Sequence, residues 1–67
     1  MMILGLSKKW IDKMKSLPES GMGYHNVAVK LKNGVVLKGM VTNSEILKID
    51  ISYPLFENDD IDEINLS

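Results

Sequence analysis

The feature that most constrains this chain is Asn33-Gly34, set between two runs that alternate apolar and polar residues. Before it stand Val27, Val29 and Leu31, interleaved with Asn26, Ala28, Lys30 and Lys32. After it, Val35, Leu37, Gly39 and Val41 alternate with Val36, Lys38, Met40 and Thr42. A period of two puts one set on the core face of a strand and the other on the opposite face. Asn-Gly between such runs signals a β-hairpin. A two-residue loop would set Val29 against Lys38 and mix the faces. A three-residue loop, Lys32-Asn33-Gly34, pairs Leu31 with Val35, Val29 with Leu37 and Val27 with Gly39. The phase therefore predicts a bulged loop with Gly34 in the left-handed position, which adds local twist.

A third strand is expected from Ile46 to Ile51, with Leu47, Ile49 and Ile51 inward. A turn at Asn43-Ser44-Glu45 sets Val41 against Leu47, Gly39 against Ile49 and Leu37 against Ile51, and places Lys38 opposite Asp50. It would also put Glu45 in a left-handed position that suits it poorly. Gly39 in mid-strand marks a bend or a close approach by another segment. Tyr53-Pro54 ends the third strand. Leu55-Phe56 reads as a short fourth strand and Glu57 to Asp60 as an acidic turn. Ile61 fits a single helical turn, and Ile64 with Leu66 a last strand.

At the other end, Ser7 is a candidate N-cap. Trp10, Ile11, Met14 and Leu17 recur at helical spacing, and Ile3 and Leu6 extend the stripe backward. Residues 1–18 are thus read as an N-terminal amphipathic helix stopped by Pro18. A Lys-rich helix bearing one Trp has the make-up of a membrane-surface helix. Packing on the sheet, with Trp10 as anchor, is the plainer reading for so short a helix. The expected fold is one domain over 1–67: mainly β with one N-terminal α-helix, residues 24–67 forming a small, strongly bent antiparallel barrel of four or five strands.

Composition narrows the chemistry. The chain has 67 residues, no Cys and a single His. Disulfides, thiolate metal sites and multi-histidine sites within one chain are excluded, and no cofactor is expected. Without thiols, a leader-like segment or a long apolar run, a cytoplasmic location is expected. The net charge of −1 conceals a split. Residues 1–38 hold seven lysines against two acids, and residues 39–67 one lysine against seven acids. Such a split suits a basic binding face, or halves and subunits that attract one another. Every basic residue is Lys. Without the arginine fork, base-specific readout is poorly served, although point charges can still follow a phosphate backbone.

The stretch Val27 to Gly39, with its Leu-Lys-Asn-Gly turn and following Gly, resembles the first motif of Sm-like proteins. The leading helix also fits that arrangement. Asp60-Ile61-Asp62-Glu63-Ile64-Asn65-Leu66 resembles the short helical turn and last strand of SH3-like domains. Over roughly residues 24–67 the resemblance implies a small barrel of Sm-like or SH3-like type. The second Sm motif carries an Arg-Gly or similar pair near the last strands, where this chain has Asp and Glu. The uracil-contacting residues of that family therefore have no counterpart here.

Several groups invite a function. Asp59, Asp60, Asp62 and Glu63 are dense in carboxylates but lack the glycine of a calcium loop. A solvated turn, with Asp60 or Asp62 as a cap, accounts for them. Gly21-Met22-Gly23 lacks a third glycine and follows a helix, so it reads as a joint rather than a phosphate cradle. His25 has no nucleophile beside it in sequence, and nothing suggests an enzyme or a small-molecule substrate. Lys30, Lys32 and Lys38, with Tyr24 near the hairpin entrance, could follow a single strand by charge and stacking. Val36, Met40 and Ile46 share that outer face and would form an apolar patch if the helix leaves it bare. The expected function is a non-catalytic protein-interaction or self-assembly module. The alternative is a weak, sequence-tolerant RNA or single-stranded DNA binder.

Overall fold

A computed structural model describes residues 1–50 and 53–67. The chain runs β1 (Met2–Gly5), α1 (Lys8–Lys15), β2 (Tyr24–Leu31), β3 (Val36–Thr42), β4 (Ile46–Ile49), a short 3-10 turn (Asn58–Asp60) and β5 (Ile61–Leu66). The described strands form one antiparallel five-stranded sheet of order β1-β4-β3-β2-β5. The fold is thus mainly β with one helix, as the residue pattern predicts. The sheet is open, with β1 and β5 as its edges.

The first hairpin forms in the register that the phase argument requires. Val29 faces Leu37 and Val27 faces Gly39. The Leu31 N–H donates to the Val35 carbonyl at 2.8 Å, and Gly34 takes φ +92°. The Asn33 side-chain oxygen accepts from the Val35 N–H at 3.0 Å and locks the loop. In the second hairpin Val41 faces Leu47 as expected. The left-handed positions fall on Asn43 and Ser44, and the Glu45 N–H closes the turn on the Thr42 carbonyl at 3.0 Å. Glu45 is therefore spared the conformation that sequence reasoning assigned to it.

Gly39 marks a close approach. A Cβ there would stand 2.6 Å from the Lys48 carbonyl oxygen and 2.6 Å from the tip of Ile49. The β3–β4 ladder stops at Met40 and Lys48. The facing pair expected between Lys38 and Asp50 lies beyond that end, and no salt bridge joins them. The expected partner of Leu37, Ile51, lies outside the described residues.

Three expectations need correction. Residues 1–18 are not one helix: Met2–Gly5 is a strand paired with β4, and the helix starts after Ser7. Spacing misled here, because Ile3, Leu6 and Trp10 suit a helical stripe while Met2 and Leu6 are the residues buried. Leu55-Phe56 is not a strand; Phe56 is buried and Leu55 is 82% exposed. Ile61 opens β5 instead of lying in the helical turn, which occupies Asn58–Asp60. The reason is a bulge. Leu31 pairs with Ile61 and Lys30 with Glu63, so Asp62 is the extra residue. One extra residue lets Ile61 and Ile64, three apart, both face the core.

The core lies on one side of the sheet. Val27, Val29, Leu37, Val41, Leu47 and Ile64 meet Trp10 and Met14 of α1 there. The edges are joined at one corner by a side chain. Asn58, just before β5, accepts from the Ser7 N–H at 2.8 Å and donates to the Gly5 carbonyl at 3.0 Å. Ser7 holds the N-cap position, but its side chain makes no capping bond. Each Asn58 bond is worth about 1 kcal/mol net. Asn58→Ala is therefore expected to cost about 1–2 kcal/mol in urea unfolding. Asn58→Asp, which keeps the acceptor and loses the donor, should fall between. Gly39→Ala should cost about 1–3 kcal/mol by overpacking against backbone that cannot move aside.

Candidate interaction surface

The ladders order the side of the sheet that faces away from α1. Lys30 lies between Val36 of β3 and Glu63 of β5. In the next row, Ala28 lies between Lys38 and Asn65. Asn26, Met40, Lys48 and Ile3 form a third row across four strands. Tyr24, Thr42, Ile46 and Gly5 follow in a fourth. Lys38 is therefore a diagonal neighbour of both Lys30 and Lys48, with backbones roughly 7–8 Å apart in each pair. Aliphatic side chains fill the spaces between them. Val36 is 58% exposed and Ile3 62%, while Met40 and Ile46 are half-buried.

The acids near these lysines are already paired. Glu63 pairs with Lys13 of α1 at 3.0 Å, and Asp62 stands 3.9 Å from Lys30. Among the described residues Lys38 and Lys48 make no salt bridge. The face thus combines two unpaired cations with an aliphatic surface.

One of the expected contact residues lies elsewhere. Lys32 falls in the turn beyond β2, where its N–H donates to the Asp60 carbonyl at 2.9 Å. Its side chain lines a groove of about 330 Å³ with Asn33, Tyr53, Pro54, Phe56 and Asp60. The Tyr53 and Phe56 rings meet there edge to face at 6.5 Å. Tyr24 starts β2 opposite Thr42, in the fourth row of this face, and its ring packs on Gly21, where a Cβ would run into it. Sequence reasoning missed Lys48 and Ile3. Lys48 was reachable, since pairing Val41 with Leu47 puts Met40 opposite Lys48. Ile3 was not, because its strand was read as helix.

The remaining polar groups serve the structure. His25 is buried, and its Nε2 lies 3.0 Å from the Leu17 carbonyl. A carbonyl only accepts, which assigns the proton to Nε2. Nδ1 has no partner among the described residues. Asp60 caps the short turn as expected, accepting from the Glu57 N–H at 2.8 Å. Gly21-Met22-Gly23 is a hydrogen-bonded turn, closed by the Tyr24 N–H on the Gly21 carbonyl. Among the described residues no three acids or histidines gather as a metal site, and no helix is long and apolar enough to cross a membrane.

No family model, curated protein or solved structure matches the chain.

If Val36 serves a surface rather than the core, Val36→Glu should change stability by less than about 1 kcal/mol. Val29→Glu, one strand away on the core side, should abolish the cooperative thermal transition by burying an unpaired charge. Circular-dichroism melts of the two variants check the assignment of faces.

Proposed function

We propose that this protein is a non-catalytic interaction module that self-associates. The observation that carries the reading is one-sidedness. Trp10 and Met14 of α1 sit with the core on one side of the sheet. The other side keeps Val36 and Ile3 exposed between Lys30, Lys38 and Lys48. Aliphatic residues rimmed by cations make a surface suited to a protein partner. The curled sheet is taken as a variant of the Sm-like or SH3-like small barrel. The bulged first hairpin, the helical turn before the last strand and the Asn58 bridge between the edges support that view. A cytoplasmic location belongs to the same proposal.

Nucleic acid is the weaker reading. Stacking needs free aromatic faces, and the Tyr24 ring is engaged by Gly21 while the residues between the lysines are aliphatic.

Sedimentation equilibrium of the purified chain across the micromolar range tests the proposal. Association that grows with concentration is the expected result, and a monomer throughout sinks it. Titration of labelled single-stranded RNA and DNA at two salt concentrations tests the alternative. No binding is expected at low salt. Binding that collapses as salt rises would transfer the assignment to nucleic acid.

A further inference from the structure

The two edges of the sheet are built differently. In β5, Asp62 forms a bulge and Asp62 and Glu63 are charged. Bulges and charges are devices that stop an edge from pairing with another chain. In β1 itself there are none: Met1 to Leu6 contains no charged side chain and no proline, and its ladder with β4 is regular.

The open groups of β1 follow from its register. The Leu6 N–H donates to the Glu45 carbonyl at 2.8 Å, which makes Leu6 and Glu45 a hydrogen-bonded position. Such positions alternate along an antiparallel ladder. Leu4 and Met2 therefore bond to β4, while the N–H and C=O of Ile3 and Gly5 point off the sheet. The Gly5 carbonyl does so and is taken by Asn58. At Ile3 the outward groups have no partner strand among the described residues.

We propose that β1 pairs with β1 of a second copy of this chain, antiparallel, about a twofold axis at Ile3. This rests on the self-association proposed above and places its contact at the β1 edge, leaving the Val36 end of the outer face outside it. On that axis each Ile3 gives its N–H to the other's carbonyl, and Met2 lies beside Leu4 of the second copy. The contact is self-complementary, as a twofold interface requires. Charge does not oppose it. Lys48, beside Ile3 in β4, is the nearest cation in the row. The two Lys48 side chains stand three strand spacings apart, about 14 Å. That exceeds the screening length of about 8 Å at physiological salt. The second copy is favoured over a foreign strand because it leaves no open edge. The joined sheet takes five strands from each copy and ends on both sides in β5, the edge already protected.

Sedimentation velocity of the wild-type chain and three variants tests the geometry. Ile3→Pro removes the outward N–H, and Ile3→Lys puts a charge on the edge. Ile3 is exposed and its backbone does not bond to β4, so both should keep the far-UV dichroism of the wild type. Val36→Glu alters the outer face away from β1. The expected result is a twofold mass for the wild type and Val36→Glu, and a single-chain mass for both Ile3 variants. A monomeric wild type overturns both the edge pairing and self-association. A dimer lost in Val36→Glu but kept in both Ile3 variants overturns the edge pairing alone. A mass above two chains overturns the closed twofold.

Discussion

The Asn58 carboxamide is the point on which the shape of this molecule turns. A single sheet with one eight-residue helix has little with which to enclose a core. The sheet must curl, and something must hold its ends. Asn58 uses its oxygen on the Ser7 N–H and its nitrogen on the Gly5 carbonyl. One planar group thereby fixes the end of β1, the start of α1 and the approach to β5. The edges meet through a side chain, with no ladder between them. In the middle of the sheet, Gly39 lets the Lys48 carbonyl come close.

The parts legible in the sequence were those where phase and turn chemistry agree. The bulged loop at Lys32-Asn33-Gly34 could be derived because only one loop length keeps Val29 and Leu37 on the same side. Gly39 was legible for a similar reason, since glycine amid branched residues needs a cause. The illegible parts were those decided by distant partners. Met2–Gly5 is too short for periodicity to separate strand from helix, and β4, more than forty residues away, settles it. Ile61 and Ile64 have helical spacing, and only the bulge at Asp62 makes them strand neighbours. Of the candidate surface, Lys30, Lys38, Val36, Met40 and Ile46 came from the alternation alone. Tyr24 keeps the same phase at the start of β2, whereas Lys32 did not stay with them, because a turn residue is placed by its loop and not by phase.

The charge split also acquires a spatial meaning. Lys13 of α1 reaches Glu63 of β5, and Lys30 of β2 faces Asp62. Part of the basic half thus neutralises part of the acidic half across the fold. These are exposed pairs and add little stability. Their effect is on the field. The unpaired lysines of the outer face, Lys38 and Lys48, lie on β3 and β4, separated from β5 by β2, so the outer face grades from balanced to positive.

The position of β1 bears on how the chain acquires its shape. β2, β3 and β4 are joined by tight turns and can assemble with small loops to close. β1 finds β4 only after most of the sequence has been brought round. Entropy of loop closure puts that event late on the way to the folded state. Until it happens, β4 has an unpaired flank, and any neutral strand within reach can compete for it. A growing chain at high concentration therefore has a kinetic choice between its own first strand and that of a neighbour.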